Sequence, residues 1–133
     1  MNNKNKLFEK AIKCRNNAYA PYSGFQVGCA ILSSSGKVYV GCNVENAAYP
    51  SGSCAEAGAI SALIADGESK ISEILVVADT KCILPCGNCL QKICEFSDNN
   101  TIIHSADLQG VVKSFKLTEL LPNSFKAEDM KNA

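Results

Sequence analysis

Apolar positions along the chain fall into segments of distinct period. Leu7, Ala11, Cys14 and Ala18 recur at spacings of four, three and four, which puts them on one helical face and predicts a helix over 4–18. The run Ala20-Pro21-Tyr22-Ser23-Gly24 breaks it. Residues 26–32 are short, apolar and partly β-branched, the mark of a strand, and Ser33-Ser34-Ser35-Gly36 is a turn. A second strand over 37–43 completes a β-hairpin. The stretch 44–53 is a loop ending in Pro50-Ser51-Gly52-Ser53. From Cys54 to Ala65, Ala59, Ala62, Leu63 and Ile64 supply the stripe of a helix that Asp66-Gly67 stops. Residues 72–79 are apolar without alternation, as in a strand buried on both faces of a parallel sheet. A helix over 86–96 turns Leu90, Ile93 and Cys94 inward, 101–104 is a short strand, and a weak helix covers 117–121. The last few residues are expected to fray.

The order helix, hairpin, helix, strand, helix, strand predicts an α/β fold, a mixed sheet flanked by helices. A length of 133 residues is one domain's worth, so 1–133 is read as a single domain, without repeat, low-complexity segment or linker. With 47% apolar and 20% charged residues the chain is globular. Thirteen basic residues balance thirteen acidic ones, so no net positive field draws a polyanion and nucleic acid is not the expected partner. The polar start Met1-Asn2-Asn3-Lys4-Asn5-Lys6 leads into no apolar core, and no run approaches the roughly 20 residues of a membrane span. The expectation is a cytoplasmic protein with no membrane partner. In a reducing compartment its eight cysteines point to metal binding for some and plain burial for others.

Two segments carry candidate chemistry: Cys54-Ala55-Glu56 at the start of one predicted helix, and Pro85-Cys86-Gly87-Asn88-Cys89 at the start of the next. Thiols three apart on a helix share a face and can grip one metal ion. A C-x-x-C alone also serves redox sites and zinc ribbons. Joined to a cysteine at another helix start it is far more specific. If adjacent parallel strands precede the two helices, both N-termini open at one sheet edge and the three thiols converge. Three protein ligands leave a tetrahedral zinc one open position, the mark of a catalytic site, where bound water loses a proton easily. Glu56, in the first turn, could take that proton and pass it on. Three thiolates on Zn²⁺ carry a net negative charge, which helix N-termini and their backbone N–H groups oppose. Ser53-Cys54-Ala55-Glu56 also fits a capping box, with Ser53 as N-cap and Glu56 at N3, so two readings compete for one carboxylate.

A non-ligand Glu with a P-C-x-x-C is the pattern of zinc deaminases. The chain resembles the small, tetrameric cytidine deaminases from Ala20-Pro21-Tyr22-Ser23 to Leu120-Leu121-Pro122. Asn43-Val44-Glu45-Asn46-Ala47, Cys54-Ala55-Glu56 and Pro85-Cys86-Gly87-Asn88-Cys89-Leu90-Gln91 fall in the family's order at similar spacing. The resemblance implies a three-layer α/β/α fold with a five-stranded mixed sheet, one zinc per chain on Cys54, Cys86 and Cys89, and Glu56 as the proton carrier. It further implies that Asn43 and Glu45 hold the ribose hydroxyls and that Phe25 packs near the pyrimidine. The backbone around Ala55 would read the base edge. Tyr49 and Phe125 would reach across subunit interfaces of a homotetramer. Many members carry Arg directly after the catalytic Glu and after the second Cys of the C-x-x-C. Here Ala57 and Leu90 stand there, so the thiolate charge should rest more on backbone N–H groups, and Ala57→Arg is expected to move the acid limb of the pH–rate profile down.

The implied reaction is hydrolytic deamination of free cytidine and deoxycytidine to uridine and deoxyuridine, with attack at C4 by zinc-bound hydroxide, a step in pyrimidine salvage. Still open are a blasticidin-type substrate, cytosine within a nucleic acid, and a structural zinc module without activity; the last leaves Glu56 unexplained. Cys14, Cys29, Cys42, Cys82 and Cys94 read as buried small hydrophobes. His104, the only histidine, reads as structural, and Lys113, Lys116 and Lys126 as solvated surface.

Overall fold

The computed structural model describes residues 2–131. Helix α1 (Asn3–Arg15) begins where the Asn2 side chain accepts a hydrogen bond from the Asn5 amide at 2.9 Å. It ends three residues short of the expected 18. Tyr19 donates its N–H to Asn43 O at 3.0 Å and accepts from the Glu45 N–H at 2.8 Å, which draws residues 16–19 off the helix axis and along the neighbouring chain. Strands β1 (Val27–Ser33) and β2 (Val38–Cys42) form the expected hairpin. Helix α2 (Ala55–Ala65), strand β3 (Ile71–Ala78), helix α3 (Gly87–Glu95) and strand β4 (Ile102–Asp107) follow as predicted, β4 running three residues further than expected.

Three elements were not expected. Strand β5 (Gly110–Lys116) pairs antiparallel with β4, and a single 3-10 turn (Tyr49–Ser51) lies within the loop before α2. The C-terminus, expected to fray, carries a short helix α5 (Ala127–Lys131) after α4 (Leu117–Leu120), while 132–133 lie outside the described residues.

The five strands order as β2-β1-β3-β4-β5. The α1 layer packs Leu7 and Ala11 against Ala30, Leu75, Val77 and Ala106. On the opposite face Ala59, Ile60 and Leu63 of α2 and Leu90 and Ile93 of α3 cover Cys29, Ile31, Ile74, Val76 and Ile103. Alternate β3 residues thus enter different layers, which is why its sequence is continuously apolar. That pattern does not mean parallel pairing on both sides, for β3 is parallel to β4 and antiparallel to β1.

The strands leading into α2 and α3 are β2 and β3. They are not neighbours, because β1 lies between them. Both are antiparallel to β1, so they point the same way and deliver both helix N-termini to one edge of the sheet. Gly41 on β2 makes this fit possible: a Cβ there would collide with the backbone of Ala55, Gly58 and Ala59 in α2.

Candidate active site

At that sheet edge the two helices start on cysteines. Cys54 is the N-cap of α2 and Cys86 the N-cap of α3, with Cys89 in the first turn of α3. Their sequence neighbours explain the geometry. The Ser53 backbone is committed to Val44 by two hydrogen bonds of 2.9 Å, which fixes the chain in extended form up to Cys54. Ser53 is therefore not the N-cap, and the capping-box reading of Ser53 and Glu56 is not what forms. Glu56 sits one position earlier in the helix than that box requires.

The Sγ atoms of Cys54 and Cys89 stand 2.7 Å apart. Together with a Glu56 carboxylate oxygen they form a cluster whose atoms lie within 4.8 Å of one another. Cys86 lines the same cleft, one helical turn from Cys89, but its sulfur is exposed and lies outside that cluster.

Glu56 is 4% exposed. Burial, with the Cys54 sulfur nearby, pushes its carboxyl from 4.5 up to about 7. Cys54 shifts the other way, from 9.0 down to about 6. The first cause is a hydrogen bond from the Cys89 thiol, and the N–H groups of Ala57 and Cys54 and the charge of Lys92 act in the same sense. Cys89, the donor of that bond, is held well above the ordinary thiol range, with burial adding to the effect. Two soft sulfur donors at helix N-termini and a third on the same cleft form a donor set suited to a thiophilic dication such as zinc. Glu56, a carboxyl that exchanges a proton near pH 7 beside that set, suits general acid–base work.

The cleft has a volume of about 720 Å³, within the usual size of a small-molecule site. Asn43, Glu45 and Tyr49 line it as expected. Their side chains also organise the segment before β1. Asn43 accepts from the Val27 N–H at 2.9 Å and donates to Phe25 O at 2.8 Å. One Glu45 oxygen accepts the Tyr22 and Ser23 amides, each at 3.0 Å, and the other accepts the Ser23 hydroxyl. These bonds hold the Glu45 carboxyl below the usual carboxylate range, the Ser23 hydroxyl contributing most. Tyr22 and Tyr49 meet edge to face with ring centroids 6.3 Å apart.

Ala55 is fully buried and does not line the cleft in this single chain. Phe25 and Phe125 do not line the cleft in this single chain. Phe125 is tethered to α3 by the Gln91 side chain, which donates to its carbonyl at 2.8 Å, and its ring is exposed. Sequence reasoning gave no individual role to Tyr22, Ser23, Asn88 and Lys92, which line the cleft too. For Ser23 the signal was its place in the quoted Pro21-Tyr22-Ser23 stretch.

The other cysteines only partly match the burial expected of them. Cys29 is buried in the core, Cys14, Cys42 and Cys94 are half-buried, and Cys82 is exposed in the loop before α3. His104 is buried on β4 away from the cleft, its ring nitrogens 2.7 Å from Glu73 Oε1 and 2.7 Å from Ser114 Oγ, a structural placement.

A three-layer sheet that brings two cysteine-bearing helix starts and a buried carboxyl to one cleft defines a zinc-dependent hydrolytic deaminase. Residues 1–105 match the family described as the cytidine and deoxycytidylate deaminase zinc-binding region. A cytidine deaminase of Halalkalibacterium halodurans is 43% identical over 125 residues, covering 93% of this chain and 95% of the relative. One from Sporosarcina psychrophila is 40% identical over 129 residues, covering 96% and 95%. The crystal structure of cytidine deaminase from Burkholderia pseudomallei superposes with a TM-score of 0.87 at 39% identity, covering 94% of this chain and all (100%) of that one. The Mycobacterium tuberculosis structure gives 0.81 at 32%, covering 94% and 98%. The chain belongs to the cytidine deaminase family, and its cofactor is zinc. Among the described residues no helix is long and apolar enough to cross a membrane.

Proposed function

We propose that this chain hydrolyses free cytidine and deoxycytidine to uridine and deoxyuridine with release of ammonia, as one domain over 1–133. The observation that carries this reading is the Glu56 carboxyl, buried against the Cys54 and Cys89 sulfurs and poised near neutral pH. Cys54, Cys86 and Cys89 hold one zinc, which when bound activates a water near neutral pH. Cys86 supports this reading by its place at an exposed N-cap that lines the same cleft, one helical turn from Cys89.

The remaining steps belong to the protein. Glu56 accepts a proton from the attacking water and delivers it to the ring nitrogen next to C4, which makes C4 electrophilic. It then carries the second proton to the exocyclic amine, which leaves as ammonia while C4 keeps the oxygen. One water is consumed and one ammonia released. Asn43 and Glu45, already oriented by their bonds to the 22–27 segment, meet the ribose hydroxyls. Glu45 remains ionised and acts as an acceptor. The buried backbone at Ala55 reads the base edge.

Tyr49 is 78% and Phe125 58% exposed at or beside the cleft. Aromatic surface of this kind is covered in a homotetramer, where these two residues close the substrate site across subunit boundaries while Phe25 packs near the pyrimidine. Balanced charge and a free-nucleoside substrate support a role in cytoplasmic pyrimidine salvage, without nucleic-acid or membrane partners.

The test is ultraviolet-monitored turnover of cytidine by wild type and Glu56→Ala, with zinc assayed on both. Turnover by the wild type, lost in a variant that keeps one zinc per chain, is the expected result. A zinc-loaded wild type without turnover overturns the substrate assignment, and an active Glu56→Ala overturns the role of Glu56.

A further inference from the structure

Three thiolates around a divalent zinc leave one net negative charge in a partly enclosed cleft. Such charge needs a compensating partner or it weakens the site. Backbone N–H groups at the helix starts supply part of the compensation, since the Ala57 and Cys54 amides both favour the Cys54 thiolate. They are dipoles, not charges. Ala57, one turn beyond Cys54, and Leu90, directly after Cys89, are apolar and add no charge.

We propose that Lys92 is the cation that offsets the charge of the thiolate site, a positioning residue acting from the α3 side of the cleft in place of a charge at Ala57 or Leu90. This rests on the zinc site described above. Lys92 is the only Lys or Arg among the residues lining the cleft. It lies three residues beyond Cys89, which itself lies three beyond Cys86, so the three form one row along α3. Ala57 faces it from α2: the two residues line the cleft together and also share a neighbouring hollow of about 330 Å³. An alanine at 57 therefore leaves room through which the ammonium's field reaches the sulfurs.

One further observation agrees. Lys92 makes no ion pair with a carboxylate among the described residues, so its charge is not already spent. A lysine suits this task because it acts as a mobile point charge and needs no planar fork to do so.

The experiment measures zinc affinity by chelator competition at one fixed pH, in low and high salt. It uses wild type, Lys92→Gln, Lys92→Arg, the double variant Lys92→Gln/Ala57→Arg, and Cys86→Ser, with circular dichroism to confirm folding. Lys92→Gln is expected to weaken zinc about two- to fivefold in low salt, the range of an exposed charge interaction. High salt should shrink the difference. Lys92→Arg should hold zinc as wild type does, and Ala57→Arg should restore the affinity that Lys92→Gln lost. Wild-type affinity in Lys92→Gln overturns the inference. So does a Lys92→Arg as weak as Lys92→Gln, which would make shape and not charge the cause. The zinc-site reading itself fails separately, if the wild type takes up no zinc or if Cys86→Ser keeps it undiminished.

Discussion

Gly41 and Gly58 face each other across the β2–α2 contact, and alanine at the two positions should act in opposite directions. A Cβ at Gly41 would stand 2.9 Å from the Gly58 carbonyl carbon, with Ala55 O and Ala59 N closer still. Carbon atoms rest at about 3.5–4.0 Å, so the Gly58 contact alone demands a shift of about 0.6 Å or more. All three obstacles are helix backbone, which cannot rotate away as a side chain would. α2 must therefore move outward as a body, at about 1–3 kcal/mol for overpacking. Its N-terminus carries Cys54 and Glu56, so the displacement enters the site, where misplacement of about 1 Å costs on the order of a hundredfold. A Cβ at Gly58 meets only ordinary contacts, the nearest being Gly41 Cα at 3.5 Å. There alanine removes a helix-interior glycine and should stabilise by about 0.5–1 kcal/mol. Urea denaturation and cytidine kcat/KM read both effects. Gly41→Ala should lower the midpoint and cut kcat/KM about ten- to a hundredfold, while Gly58→Ala should raise the midpoint and leave kcat/KM near wild type. A Gly41→Ala as stable and as active as wild type would refute the claim that this contact sets the position of the active-site helix.

Glu45→Ala removes an ionised acceptor from the cleft and releases the Tyr22 and Ser23 amides. Steady-state kinetics should show KM rising about ten- to a hundredfold with a smaller change in kcat, and an unchanged KM would remove Glu45 from substrate binding. The raised Glu56 carboxyl predicts a pH-dependent stability in zinc-free protein. Its folded value of about 7 lies above the ordinary 4.5, so the stabilising contribution is complete below pH 4.5 and is lost as pH rises through 7. The loss approaches about 3 kcal/mol. Zinc-free Glu56→Gln cannot ionise and should overtake wild type in denaturation midpoint over that window. Parallel pH curves for the two proteins would show that the buried carboxyl carries no such penalty.

The strands and helices from α1 to β4 were legible because each buries one face or, as in β3, both faces, and their apolar spacing records it. β5 was not. It is an edge strand with Val112, Lys113 and Lys116 exposed, so no face of it reads as core. The local signal lay in the turn before it. The Asp107 side chain accepts the Gln109 and Gly110 amides, and Gly110 takes a φ of +150°. The cysteines proposed as zinc ligands stand out in the sequence because metal binding imposes spacing on the chain. Lys92 does not, since a lysine on a helix is ordinary surface until tertiary packing sets it opposite Ala57.

Glu56 marks where sequence alone stops. Its neighbourhood satisfied two patterns, a helix cap and a proton carrier, and both used the same carboxylate. The two differ by a single residue in where α2 begins, and one residue of an α-helix is a rotation of about 100°. With Ser53 as N-cap the carboxylate would turn back to the chain end. The start is fixed elsewhere, by the pairing of Ser53 with Val44, a residue the β2 strand carries in from nine positions earlier. That pairing moves the N-cap to Cys54 and turns Glu56 onto the sulfurs. The direction of the Glu56 side chain, the proposed proton carrier, is thus decided by a backbone bridge outside the motif that names it.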